Sequence, residues 1–348
     1  MKTTLFLILI GARVATLFAQ SPNHLDEKVD NILLEYFKGD RFNGSVLVAK
    51  GGEILYNKAY GYTDMEKRTE ISDTSVYCIA SVSKIFTGTA IMLLAEDGTI
   101  SIDDPINKHL KSLPEMFSRI SIRHLLSHTS GIREMNQDWK SQIGMSNPDV
   151  YNFVKNQESL QFQPGSKYSY SNTGFNLLAI LIDSLSGTSF REYVESRIFE
   201  RCNMKTSFVR PDKNSVVPHE VVKSYVNGQQ ADWPLYTYGS GGVYCSTLDL
   251  YKWDKAFFSG DVLGQAKMSL VLDRVESSDG GVNNYGLGWG VFVSGGMTSV
   301  GHTGGMFGFR TLYERILEKD ITIIILTNIG DSTPLMEIRT RILQLFIK

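Results

Sequence analysis

The sequence has few cysteines, no marked excess of charge of either sign and, beyond the N-terminus, no apolar run long enough to cross a membrane. Three cysteines, Cys78, Cys202 and Cys245, cannot all pair, and their spacing fits no zinc, haem or CxxC pattern. We therefore interpret them as small buried thiols. The 35 basic and 37 acidic residues give a net charge of −2. This balance predicts neither a nucleic-acid partner nor attraction to an anionic membrane.

Several catalytic and cofactor motifs are also missing. The chain has no GxSxG elbow, no HExxH, no P-loop and no GxGxxG, so these hydrolase, metalloprotease and nucleotide-binding classes are not indicated. The glycine-rich residues 286–290 precede a strand-like segment, which favours tight sheet packing over phosphate binding. The sequence therefore predicts no metal and no cofactor.

The N-terminus has the pattern of a secretory signal peptide. Lys2 precedes the apolar residues 5–10, and Ala19 ends a stretch with the outline of a cleavage site. We expect residues 1–19 to be removed and the protein to be periplasmic or secreted. The alternative is an uncleaved anchor, but residues 5–10 are too few to span a bilayer.

Periodicity predicts an α/β protein with strands near both ends. The predicted elements are a helix over residues 24–38, a hairpin over 45–49 and 53–60, a buried helix over 81–96, a second hairpin over 308–316 and 321–328, and a closing helix from Pro334 with Ser332 or Thr333 as its cap. Its buried face is expected to carry Ile338, Ile342 and Leu345. Between the hairpins, strand signals are few. We expect one antiparallel sheet, formed by residues 20–80 and 236–348 and flanked by the terminal helices. A mainly helical insertion, residues 81–235, would leave a catalytic cleft where it meets the sheet.

Ser81-Val82-Ser83-Lys84 is the first candidate catalytic motif. On the first turn of a helix Ser81 and Lys84 face the same side, and a serine nucleophile needs an adjacent base. A lysine can serve as that base where burial lowers its pKa. The motif alone is weak, because an SxxK is expected by chance in a chain of this size.

Tyr170-Ser171-Asn172 is the second candidate. A phenol beside a lysine can relay a proton, and an asparagine can hold both the lysine and a substrate carbonyl. Tyr225-Val226-Asn227 has the same pattern, but it runs into Asn227-Gly228, which indicates a turn.

His302-Thr303-Gly304-Gly305 is the third. A glycine pair after a strand lets a substrate approach the backbone closely, and the Gly305 N–H could pair with that of Ser81 as an oxyanion hole. We interpret the other two histidines near a motif, His124 and His128, as structural.

Taken together, the order SxxK, YxN and HxG resembles the class C β-lactamase superfamily, which includes serine D-alanyl-D-alanine carboxypeptidases, D-aminopeptidases, penicillin-binding proteins and esterases. Residues 97–105, 124–131 and 285–290 are similar to further loops of that family. The resemblance implies a β-lactamase/transpeptidase-like fold. It also implies roles: Ser81 as acylated nucleophile, Lys84 as base or relay, and Tyr170 as general acid/base. Asn172 would orient the substrate, His302 and Thr303 would face its carboxylate, and Ser81 with Gly305 would form the oxyanion hole around Gly304.

The third motif is His-Thr-Gly where the β-lactamases of this family have Lys-Thr-Gly. The resemblance therefore favours, in this order, a peptidase, an esterase and a weak β-lactamase. The expected substrate is a small molecule or a peptide, with cell-wall peptide and β-lactams as the candidates. A protonated His302 facing a carboxylate would make the preference for anionic substrates fall as pH rises. Two other hypotheses stay open: a non-catalytic penicillin-binding sensor, and a Ser-His-Asp hydrolase using His128 or His302.

Overall fold

The computed structural model describes residues 24–135, 144–211, 216–231 and 235–347. The predicted signal peptide, residues 1–19, lies outside the described residues.

The helices of the described residues are α1 His24–Lys38, α2 Ser83–Glu96, α3 Ile106–His109, α4 Ile122–Leu126, α5 Asn147–Lys155, α6 Asn172–Ser186, α7 Phe190–Val194, α8 Thr247–Ser259, α9 Gln265–Leu272 and α10 Leu335–Phe346. The strands are β1 Gly44–Lys50, β2 Glu53–Tyr60, β3 Tyr62–Asp64, β4 Thr69–Glu70, β5 Tyr77–Cys78, β6 Phe208–Val209, β7 Tyr225–Val226, β8 Gln229–Gln230, β9 Val243–Cys245, β10 Gly290–Ser294, β11 Met297–Met306, β12 Phe309–Ile316 and β13 Ile321–Thr327. A 3₁₀ turn, Ala80–Val82, leads into α2.

One six-stranded antiparallel sheet, in the order β10-β11-β12-β13-β1-β2, organises the fold. Strand β1 pairs with β13 from Gly44 opposite Thr327 to Lys50 opposite Ile321, so the two predicted hairpins do share a sheet. The hairpin of β10 and β11 extends the sheet on the far side of β12.

The terminal helices cover one face of this sheet, as predicted. Val29 and Leu33 of α1 and Ile338 of α10 pack on Val46 and Ile323 in one apolar cluster. The opposite face belongs to a larger cluster that includes α2, α6 and α8.

Two details of the closing helix differ from the prediction. Helix α10 begins at Leu335 with Pro334 at the N-cap position and no side-chain cap. Leu345 is only half-buried, and Leu343 and Phe346 complete the apolar face instead. With 3.6 residues per turn, Leu345 lies at the edge of the face that Ile338, Ile342 and Phe346 define.

The predicted insertion, residues 81–235, is mainly helical in its described part, where its three strands, β6, β7 and β8, have two residues each. Helix α2 is buried along most of its length, which explains its lack of a polar face. Tyr225 lies in β7, and Asn227 and Gly228 form the turn to β8 with positive φ angles, which supports the turn interpretation of the second YxN. All three cysteines are buried and free.

Candidate active site

A strained turn presents Ser81 to the cleft. Ala80 has φ +48°, a left-handed conformation that alanine rarely adopts and that clusters at functional sites. The N–H of Ile79 donates to Val243 O (3.1 Å), and the N–H of Val243 donates to Ser83 Oγ (3.1 Å). These bonds fix the start of α2, so that Ser81 is partly exposed while Lys84, one turn later, is buried.

The Lys84 amine lies next to the Ser81 hydroxyl. Its Nζ lies 2.8 Å from Asn172 Oδ1, 2.8 Å from Ser240 O and 3.3 Å from Ser81 Oγ. Burial lowers the pKa of Lys84 to about 7, and the carboxylate of Glu134 opposes part of that fall. A neutral amine has two N–H donors, which the two carbonyl oxygens occupy, so its lone pair is left for the Ser81 hydroxyl.

The YxN motif stands at the N-terminus of α6, where Glu134 holds it. The Glu134 carboxylate accepts hydrogen bonds from Ser171 Oγ (2.8 Å), Asn172 N (3.0 Å) and Thr173 N (3.1 Å). Ser171 caps the helix by accepting from Gly174 N (3.0 Å). Glu134 thus fixes the backbone from which Asn172 reaches Lys84.

Tyr170 lies across the cleft from the helix start. Its ring is centred 4.8 Å from Lys84 Nζ. Burial raises the pKa of Tyr170 well above its usual range, and a hydrogen bond with Ser81 opposes the rise. At neutral pH the phenol therefore keeps its proton, which suits a general acid better than a base.

The buried ring of His128 packs against the ring of Tyr170. Its ring centroid lies 4.3 Å from that of Tyr170 and 4.6 Å from that of Tyr285, and its Nδ1 accepts from Ser171 N (3.0 Å). Burial holds the pKa of His128 well below its ordinary value. His124 closes a capping box with Ser121 at the start of α4. Both histidines therefore have the structural roles expected for them.

The third motif lies within β11 and forms one wall of the cleft. Gly304 faces the turn that carries Ser81: a Cβ there would lie 2.3 Å from Ile79 O and 3.1 Å from Ser81 N. Only glycine permits this approach, which brings the backbone of Gly304 against that of Ser81. Because β10 ends its pairing at Gly301, residues 302–306 have a free edge toward the cleft.

Strand alternation separates the side chains of His302 and Thr303. His302 points to the Lys84 side, and Thr303 points to the opposite face, which it shares with Leu312. His302 Nδ1 donates to Thr303 O (2.5 Å), and Nε2 therefore accepts from Tyr285 Oη (3.0 Å). Although His302 is partly exposed, both ring nitrogens are occupied. Burial, and then the nearby Lys84, lower the pKa of His302 to about 3, so the ring is neutral.

The cleft, about 710 Å³ in volume, contains Ser81, Tyr170 and residues 302–305. It also contains Arg310, which the sequence analysis missed. Arg310 lies opposite Gly305 on β12, and its guanidinium covers that glycine: a Cβ on Gly305 would come within 2.3 Å of Arg310 Nη1. Its nearest carboxylate, on Asp331, lies 4.0 Å away in an exposed pair, so the cation is available to a ligand.

The arrangement brings all eight predicted residues together at one cleft. His128 and His302 form hydrogen bonds with Ser171, Thr303 and Tyr285, whereas Lys84 contacts Ser81. The geometry therefore favours the lysine mechanism over a Ser-His-Asp triad.

Glu134, like Arg310, was not found from sequence, because neither belongs to a short motif. Within the described residues no cluster of three His, Cys, Asp or Glu could hold a metal ion, and no helix is long and apolar enough to cross a membrane.

Comparison with known proteins identifies the family. The chain belongs to the Beta-lactamase family, which it matches over residues 22–346. It is 31% identical to penicillin-binding protein 4* of Bacillus subtilis over 318 residues, which are 84% of this chain and 69% of that protein.

Solved structures show that the fold is β-lactamase/transpeptidase-like, as expected. The octameric penicillin-binding protein homologue from Pyrococcus abyssi superposes with a TM-score of 0.82 at 26% identity, covering 92% of this chain and 76% of that one. The D-amino acid amidase from Ochrobactrum anthropi SV3 has a TM-score of 0.77 at 20% identity, covering 92% and 98%, and so shares the fold.

Proposed function

We propose that this member of the Beta-lactamase family is an exported serine acyl hydrolase that cleaves peptides or amides of D-amino acids through an acyl-enzyme on Ser81. The observation that carries the proposal is the contact of Ser81 Oγ with the Nζ of a buried Lys84 whose pKa is about 7. A lysine in that state is half neutral near pH 7 and can act as a base.

In acylation, Lys84 takes the Ser81 proton as Oγ attacks the substrate carbonyl carbon. The carbonyl electron pair moves to oxygen, where the N–H groups of Ser81 and Gly305 would stabilise the anion. The C–N bond then breaks, and Tyr170 donates its proton to the departing amine. Lys84 returns its proton to Tyr170. In deacylation, Lys84 takes a proton from a water molecule as the water oxygen attacks the acyl carbon. The bond from that carbon to Ser81 Oγ then breaks, Tyr170 donates its proton to Oγ, and Lys84 returns its proton to Tyr170, which releases the acid and regenerates the enzyme.

The peptidase assignment rests on the relatives. Penicillin-binding proteins and a D-amino acid amidase are among the proteins that this chain resembles in sequence or fold. With a neutral His302, the cationic group available to the carboxylate of a peptide substrate is Arg310, on the same face as Thr303. We therefore transfer the carboxylate-binding role from His302 to Arg310 and keep the hydrogen-bonding role of Thr303.

A panel of D-Ala-D-Ala peptides, D-aminoacyl amides, p-nitrophenyl esters and nitrocefin tests the substrate class. Ser81→Ala removes one small, partly exposed hydroxyl, so the fold should be unchanged. Intact-mass spectrometry after incubation with a fluorophosphonate or a penicillin should show one adduct on the wild type and none on the variant. An adduct on the variant, or none on the wild type, would remove Ser81 from the mechanism. The latter result would favour the non-catalytic hypothesis.

A further inference from the structure

A second cavity, about 890 Å³ in volume, adjoins the catalytic cleft and is not used by the steps above. Tyr170, His302 and Thr303 line both cavities, so the two are continuous. From those residues the second cavity, here called the groove, runs over the outer face of β10 and β11 to α10.

Strand register explains why this face is open. Phe292 of β10 lies opposite Ser299, and Thr303 lies opposite Leu312, so these side chains share the α10 face of the sheet. Helix α10 packs mainly on β12 and β13. As a result Phe292 is 55% exposed, and Met336 on the facing helix is 53% exposed.

The groove offers apolar walls and no unpaired charge. Among the described residues that line it, the charged ones are Glu314 and Arg339, and they pair with each other. Arg339 Nε donates to Glu314 Oε2 (2.6 Å), and Ser299 Oγ also donates to that carboxylate. Apolar surface of this extent beside a reaction centre favours an apolar ligand group.

The position of the groove identifies which part of a substrate would enter it. Ser81 and Gly305, the proposed oxyanion donors, line the catalytic cleft but not the groove. Tyr170, the proposed proton donor to the leaving group, stands at its mouth. The group that receives that proton must lie next to the phenol, so the chain attached to it extends into the groove.

Resting on the proposed acyl-enzyme mechanism, we infer that the groove is a leaving-group subsite and that the enzyme prefers substrates whose alcohol or amine portion is a long apolar group. The acyl portion, which does not enter the groove, would gain nothing from it.

Two ester series test this inference. In the first, D-alanine is esterified with n-alkanols from ethyl to octyl; in the second, ethyl esters carry n-acyl chains of the same lengths. Each methylene that enters the groove should raise kcat/KM about fourfold in the first series. The second series should show no comparable rise. A flat first series, or equal rises in both, would overturn the inference.

Variants on the groove provide matched controls. Phe292→Ala should lower the octyl-to-ethyl ratio of kcat/KM about fivefold, as should Thr340→Trp, which would fill the groove from an exposed position of α10. Val293→Ala is the control, because Val293 is 53% exposed but lies on the opposite face of the same strand. Equal ratios in Phe292→Ala and Val293→Ala would refute the assignment.

The outcomes distinguish the two proposals. Turnover that depends on Ser81 without any dependence on alkanol length refutes the subsite and leaves the acyl-enzyme mechanism standing. If no substrate in either series is turned over and Ser81 forms no adduct with a fluorophosphonate, the mechanism fails and the subsite fails with it.

Discussion

Replacing Lys84 with methionine should abolish acylation and at the same time remove a pH-dependent cost from the stability of the folded protein. The ammonium group is buried, and desolvation lowers its pKa from 10.5 to about 7. Between those values the unfolded chain binds a proton that the folded chain does not, so the wild type gains stability as pH rises. Methionine matches the length of the lysine stem and has no such dependence.

The magnitude follows from the size of the pKa change. A change of 3.5 pH units corresponds to a cost to the folded state of about 5 kcal/mol below pH 6, and this cost declines to about 2 kcal/mol at pH 9. The hydrogen bonds that Lys84 makes to Asn172 and Ser240 are lost at every pH and shift all values together. The difference in unfolding free energy between variant and wild type should thus shrink by about 3 kcal/mol from pH 6 to pH 9.

Urea unfolding monitored by circular dichroism at several pH values measures this difference. Lys319→Met, at an exposed position after β12, is the matched control and should give a difference independent of pH. If Lys84→Met gave a pH-independent difference as well, the folded-state pKa of Lys84 would lie close to 10.5. The lysine could not then serve as the base at neutral pH, and the proposed mechanism would be refuted.

Three further predictions concern the residues around this lysine. Tyr170→Phe should lower kcat by about 10²–10⁴-fold, as expected for loss of a positioned proton carrier, with an unchanged melting temperature; near-wild-type turnover would exclude Tyr170 as the acid. Glu134→Gln should move the acid limb of the pH profile of kcat/KM to lower pH, because the Glu134 charge raises the pKa of Lys84; an unmoved limb contradicts that coupling. The ratio of kcat/KM for an anionic peptide to that for a neutral ester should stay flat from pH 5.5 to 8.5, because His302 is neutral, and Arg310→Gln should lower it about tenfold. A wild-type ratio that falls as pH rises would indicate that a protonated His302, and not Arg310, binds the substrate carboxylate.

Local patterns were sufficient to predict much of the fold. The hairpins and terminal helices bury their apolar residues at the periods expected for strands and helices, and their bounds match the structure within one or two positions. The short strands β6, β7 and β8 were not predicted, since two residues carry no periodicity.

In the candidate site, too, the residues that belong to short motifs were predicted and the others were not. Ser81, Lys84 and Asn172 belong to short motifs, and the structure brings them into contact. Glu134 and Arg310 reach the site through loop geometry and strand register, and neither can be read from neighbouring residues. The protonation state of His302 depends likewise on Tyr285 and Lys84, which are distant in the chain.

The pairing of β1 with β13 has a consequence for how the protein is made. Asn43, just before β1, accepts a hydrogen bond from Thr327, 284 positions later, and α1 packs against α10. During synthesis the first hairpin must therefore wait, with one edge unpaired, until almost the whole chain has left the ribosome. Closing so large a loop is slow, so we expect nascent chains to remain unfolded, and in need of a chaperone, for longer than proteins built from local contacts.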